Sequence, residues 1–160
     1  MADFNIAVLL TLRNEGGYVN NPLDPGGATN MGVEQRDLPD IPISTLTVTQ
    51  ATEFYLEKFW NPLYNQIKEQ SIANKLFDLG VLFGRSTAVK ILQTVLEPQF
   101  PDVVADGNFG MITLNAINGS EPASLLLAFR TSMVARAIQI GAAHPAEQQF
   151  VGGWIRRINS

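Results

Sequence analysis

Nine glycine and proline residues crowd into positions 16 to 46, directly behind an apolar segment that ends at Glu15. No long helix or continuous strand can pass through such a stretch, because glycine loosens the backbone and proline removes a donor. The fold must therefore set helices around one irregular excursion. The excursion opens Glu15-Gly16-Gly17-Tyr18-Val19-Asn20-Asn21-Pro22-Leu23-Asp24-Pro25-Gly26-Gly27-Ala28-Thr29-Asn30-Met31-Gly32-Val33. Turns at its glycine pairs can fold Asp24 and Thr29 back to face Glu15 across a cleft. Two facing carboxyl groups are the minimum equipment for cleaving a glycosidic bond: one protonates the leaving oxygen, the other steers water or stabilises charge.

Each of these residues also has a plain structural reading. Glu15 ends a helix, where a negative charge opposes the helix dipole; that misplacement favours a chemical role over a stabilising one. Asp24 lies in Asp-Pro-Gly-Gly, which makes turns for local reasons, but its spacing from Glu15 suits a cleft-facing carboxylate. Thr29 can hold a water by its hydroxyl or bond backbone in a turn. Tyr18 and the Asn20-Asn21 pair suit a sugar groove and hairpin packing equally. With Asn30, Tyr18 and Asn20 form the candidate substrate-binding set.

The rest of the chain reads as helices. Phe4 to Asn14 is helical and stops at Gly16-Gly17. Short strands are expected at Tyr18-Val19 and at Asn30 to Val33. Thr47-Val48-Thr49-Gln50 fits a capping box for a helix that ends before Asn61-Pro62. Further helices are expected from Ser71 to Phe83, from Thr87 to Leu96 with Ser86 as cap, and from Met111 to Asn118. A long one runs to Ala143 from Ser120-Glu121-Pro122, and the last covers Ala146 to Arg157. Trp60 and Trp154 read as core anchors on apolar helix ends.

Composition removes several classes of function. Hydrophobic residues make up 46% and charged residues 16%, enough for a sizeable core. There are no cysteines, so disulfides and thiolate metal sites are excluded. His144 is the only histidine and lacks a metal or Ser-His partner, which removes zinc amidases and Cys-His peptidases as well. The net charge of -4 is spread along the chain without a basic stripe, so no nucleic-acid footprint exists. No basic region precedes the first apolar run, and no segment reads as long enough to span a membrane. A monomer without cofactor or metal and without stable membrane insertion is expected.

The Glu15 to Val33 stretch resembles the N-terminal motif of the glycoside hydrolase family 108 N-acetylmuramidases. The order Glu15, Asp24, Thr29 is also similar to the catalytic trio of phage T4-type lysozymes. Leu76-Phe77-Asp78-Leu79-Gly80-Val81-Leu82-Phe83-Gly84 resembles the family's Phe-Asp-x-x-Val-Asn-x-Gly, with Leu82 in place of its Asn. Leu92-Gln93, Asp106-Gly107-Asn108-Phe109-Gly110 with Thr113, and Gly153-Trp154-Ile155-Arg156-Arg157 resemble the family's small helical peptidoglycan-binding module.

The resemblance implies a mainly α, lysozyme-like fold with a small irregular β-hairpin. It implies a catalytic region over 1–84 and a peptidoglycan-binding-like region over 85–160, packed as one globular unit. The expected activity is hydrolysis of the β-1,4 bond from N-acetylmuramic acid to N-acetylglucosamine in bacterial peptidoglycan. Glu15 would be general acid, with Asp24 and Thr29 positioning water or stabilising charge. Residence in a host cytoplasm as a phage-type endolysin, with action on the wall after release, follows by analogy. Two rivals are a lytic transglycosylase, which needs only the Glu, and a non-catalytic wall-binding module.

Overall fold

The computed structural model describes residues 1–20 and 27–160. Among the described residues are seven α-helices and one two-stranded antiparallel sheet, a mainly α, lysozyme-like fold. The chain divides into two compact units, Phe4–Trp60 and Asn61–Ser160 together with Met1–Asp3.

The first unit holds helix α1 (Phe4–Asn14), strands β1 (Thr29–Asn30) and β2 (Val33–Glu34), and helix α2 (Val48–Phe59). Along α1, Phe4, Ala7, Val8 and Thr11 recur at helical spacing and are buried. Helix α2 starts at the expected capping box: Gln50 N–H donates to the Thr47 hydroxyl at 3.2 Å, and Thr47 N–H donates to the Gln50 side chain at 3.0 Å. Its buried face carries Ala51, Phe54 and Tyr55. Trp60 is buried just past its end and meets Phe4 edge-on at 5.3 Å, a core role. Between β2 and α2 the chain has no ladder to satisfy its backbone, and one side chain substitutes. The Gln35 amide donates to Leu38 O at 3.0 Å and Ile41 O at 2.9 Å, and accepts from Ile43 N at 2.9 Å.

The second unit is built from α3 (Gln70–Phe83), α4 (Arg85–Leu96), α5 (Met111–Gly119), α6 (Pro122–Ala143) and α7 (Gln148–Asn159). Helix α3 packs on α4, α4 on α6, and α6 on α7; α5 lies against α4 and the 3₁₀ turn Pro62–Gln66. Leu76, Leu79, Leu92, Phe129 and Met133 are fully buried. One buried ion pair ties α3 to α7: Arg157 donates to both Asp78 carboxylate oxygens at 3.0 to 3.2 Å. Lys75 beside it donates to Arg157 O at 2.9 Å. Burial holds the Lys75 ammonium below its usual range, partly offset by Asp78. Trp154 is half-buried and packs edge-on against Phe83 at 5.6 Å.

Several helix boundaries differ from the sequence expectation. Ser86 does not cap α4; Gly84, at φ 89°, precedes the first turn, and Ser86 lies inside the helix. Within the expected Ser120-Glu121-Pro122 start, Glu121 is the cap of α6, accepting from Ala123 N at 3.0 Å and Ser124 N at 2.7 Å. Helix α7 begins at Gln148, because Pro145–Glu147 forms a separate 3₁₀ turn. Helix α6, at 22 residues, is long and apolar enough to cross a membrane by length and composition, which corrects the reading that no segment reaches that length. Its Leu125, Phe129, Met133, Ala137 and Gly141 are buried, and it packs on α4 and α7.

Candidate active site

Glu15 extends the last turn of α1, its N–H still bonding Thr11 O at 3.2 Å. The chain then turns away and is pinned at once, because Met31 N–H donates to Gly16 O at 3.1 Å. Val19 and Thr29 form an antiparallel bridge through two reciprocal bonds of 2.8 Å. Beyond it β1 and β2 pair Thr29 with Glu34 and Asn30 with Val33, leaving Met31 and Gly32 as a two-residue hairpin loop.

Both loop residues have positive φ, 49° at Met31 and 75° at Gly32, as a type I′ turn requires. A non-glycine residue in this region costs on the order of 1–2 kcal/mol. Two bonds hold Met31 there: its N–H to Gly16 O, and its carbonyl accepting the Tyr55 hydroxyl at 2.9 Å. Tyr55 comes from α2 and is fully buried.

Gly32 has a second reason to be glycine. A Cβ built there would stand 2.6 Å from Glu15 Oε2 and 2.7 Å from its Cδ, and would also overlap the Tyr55 hydroxyl. The Glu15 carboxyl thus lies directly on the backbone of the hairpin turn, beside a buried phenol. Three elements converge on it: the end of α1, the β1–β2 turn and α2. Glu15 itself is half-buried, so the carboxyl is both held and reachable.

The other expected residues are placed less uniformly. Thr29 is half-buried in the strand leading into the turn, with its N–H and C=O both used by Val19. The Asn30 amide donates to Ile43 O at 3.0 Å, which ties β1 to the following loop. Tyr18 and Asn20 are exposed on either side of Val19. Asp24 lies outside the described residues. Leu82 is half-buried on α3, and Asp78, from the same motif, is spent on Arg157. No group of three or more His, Asp or Glu side chains that could hold a metal ion occurs among the described residues.

Sequence reasoning missed Tyr55 and the crowding at Gly32. Tyr55 reads as one more apolar position on α2, and nothing in its surroundings announces a hydroxyl aimed at a turn that lies 24 residues earlier. Gly32 carried a partial signal: a glycine two residues after Asn30 inside an extended run marks a hairpin turn.

The comparisons extend this geometry. The glycosyl hydrolase 108 family model matches residues 8–84, and the model described as a predicted peptidoglycan domain matches residues 87–159. Among eleven matching chains of solved structure is that of Brucella abortus SagA, with a TM-score of 0.78 and 29% identity. The match covers 98% of this chain and 89% of that one. No curated protein sequence matches. Both family models follow one another along the chain, and the first contains Glu15, Gly32 and Tyr55. Residues 8–84 are therefore a glycosyl hydrolase 108 domain, followed by a predicted peptidoglycan domain over 87–159, and the chain is a glycoside hydrolase with peptidoglycan as its substrate.

Proposed function

We propose that this hydrolase is an N-acetylmuramidase in which Glu15 is the general acid. The bond cut is the β-1,4 linkage from N-acetylmuramic acid to N-acetylglucosamine. The Glu15 carboxyl gives its proton to the glycosidic oxygen as that bond breaks, and a water oxygen adds to the anomeric carbon. Asp24, with Thr29, positions or activates that water, or stabilises the oxocarbenium-like charge. Tyr18 and Asn20, ahead of the hairpin, and Asn30, within it, are the sugar-contacting residues. The enzyme is stored in the cytoplasm of a host cell and reaches the wall after release, as an endolysin does.

The observation that carries this reading is the seating of the Glu15 carboxyl on the Gly32 backbone beside Tyr55. A carboxyl held by three elements, rather than waving from a helix end, is the preorganisation that general-acid catalysis needs. The test is wall lysis followed by turbidity, with analysis of the ends produced. Wild type should leave reducing muramic acid ends, and Glu15→Gln should lose about 10²–10⁴-fold in rate at unchanged circular dichroism. Lysis by Glu15→Gln within a few-fold of wild type would remove Glu15 from the mechanism. Ends closed as 1,6-anhydro sugars would make the enzyme a transglycosylase instead.

A further inference from the structure

The loop between α4 and α5 is more rigidly built than a connector needs to be. Gln93, buried on α4, donates to Asp106 Oδ1 at 3.1 Å, Asn108 O at 2.9 Å and Thr113 Oγ1 at 3.1 Å. Its carbonyl oxygen accepts from Gly107 N at 2.8 Å. Asp106 in turn accepts from Asn108 N at 2.8 Å. Gly107 sits at φ 81°, where a Cβ would run into Ser86, including its backbone oxygen at 3.0 Å. The loop is therefore fixed from several sides at once.

That fixed loop and the first turn of α5 display apolar side chains to solvent. Val104, Met111 and Ile112 are 66%, 51% and 57% exposed. They stand along two adjoining hollows of about 360 and 510 Å³ that share Asp102 and Ile112 and so form one groove. Phe109 lines the first hollow and Phe100 the second. Such volumes fall in the range of small-ligand sites, roughly 300–1,000 Å³. A groove whose walls are already ordered loses little entropy when it is filled.

Its charge selects the occupant. Asp102 and Asp106 are both exposed at the groove, and no lysine or arginine lines it. The wall offers two kinds of surface, stem peptides that end in carboxylates and an N-acetylated glycan. Carboxylates would meet Asp102 and Asp106 as like charges. Sugar hydroxyls donate to carboxylates and to the Asn108 amide, while pyranose C–H faces and acetyl methyl groups pack on Phe, Met, Ile and Val. We propose that this groove binds uncharged N-acetylglucosamine-containing glycan, so that the C-terminal unit grips the wall by its sugars and not by its peptides. The proposal rests on peptidoglycan being the substrate.

The full-length chain carrying Glu15→Gln, which should bind without cutting, makes the test. Titrated with chitohexaose, its amide resonances from Asp102 to Ile112 should shift and saturate. Adding Met111→Ser and Ile112→Ser, both at exposed positions, should weaken that response about tenfold with the melting temperature unchanged. An unchanged response in the double variant, or a free stem peptide that shifts these resonances more strongly than chitohexaose, would overturn the proposal. Sedimentation with purified sacculi separates the two levels. Sacculi bound by the Glu15→Gln chain, together with an unresponsive groove, would refute the groove alone. Sacculi left unbound would refute the wall reading and the groove with it.

Discussion

The two units satisfy their backbones in opposite ways, and the proposed acid lies in the less regular one. In Asn61–Ser160 five helices close their own hydrogen bonds, and apolar stripes decide who packs on whom. In Phe4–Trp60 the described part of the chain between α1 and α2 has only a two-residue-per-strand hairpin and the Val19–Thr29 bridge for a ladder. There, Gln35, Asn30 and Tyr55 side chains supply bonds that secondary structure would otherwise make. A helical stack tolerates no residue with two positive-φ neighbours and a carboxyl laid on the backbone. An irregular segment does, provided side chains hold it. The proposed acid thus sits where regularity is weakest, and the cost of holding it falls on a few named bonds.

The sharpest way to break the comparison is to separate its halves at the end of α3. A fragment of residues 1–84 would keep α3 without α4 and α6, exposing Ile72, Leu76 and Leu79 and leaving Asp78 without Arg157. Losing one partner of a buried pair costs about 3–5 kcal/mol, a large share of a small domain's stability. The fragment should be insoluble or unfolded by circular dichroism. A folded 1–84 fragment that still cleaves peptidoglycan would show that α3 does not depend on the helices it packs against.

Gly32→Ala comes next. The added Cβ must displace the Glu15 carboxyl, the Tyr55 hydroxyl or the turn itself, and φ 75° disfavours alanine besides. A misplacement of this kind costs on the order of 10²-fold in kcat. Full activity in Gly32→Ala would mean that the observed seating of Glu15 is not the working one.

Tyr55→Phe should act more mildly. It removes the hydroxyl that holds Met31 O and leaves that carbonyl without this bond, costing about 1–3 kcal/mol of stability. We expect kcat to fall roughly tenfold with KM nearly unchanged, since the phenyl ring still fills the core. A loss confined to KM would move Tyr55 from positioning the acid to shaping the sugar site.

The smallest effect sharpens the other side of the comparison. Asn108 backbone N–H, then the Asn108 and Gln93 amides, hold the Asp106 carboxyl below its usual range. A depressed carboxyl favours folding above its unfolded-state value, and that contribution is lost as pH falls through the lower folded value. The Asn108 amide resonance, followed during acidification, should keep its native position through the ordinary carboxylate range and move only below it. A midpoint within the ordinary range would mean that the loop is looser than its bonds indicate.

How much of this was legible in the sequence follows from the kind of force involved. The span of α1 and the Thr47–Gln50 capping box are local signals, written in neighbouring residues. The strand expected from Asn30 to Val33 is instead broken by the Met31–Gly32 turn, and Tyr18-Val19 supplies only the Val19–Thr29 bridge. Ser86 failed as a cap because Gly84 already begins the helix, and Ser86 instead lies against Gly107 twenty-one residues on. Gln93 and Tyr55 look like ordinary helix positions; their partners are set by packing between elements, which leaves no mark at short range. The same holds for α3. Its sequence continues the first family motif to residue 84, while its buried stripe belongs with α4 and α6. Ancestry and packing divide the chain at different residues.

The crowding at Gly32 has a genetic meaning as well. Every amino acid within a single base change of a glycine codon carries a Cβ, so this codon has no neutral missense neighbour. Drift in the surrounding loop can be gradual, but at this position it has nowhere to go. In a saturation library of the gene selected for wall lysis, position 32 should stand out as a column with one letter.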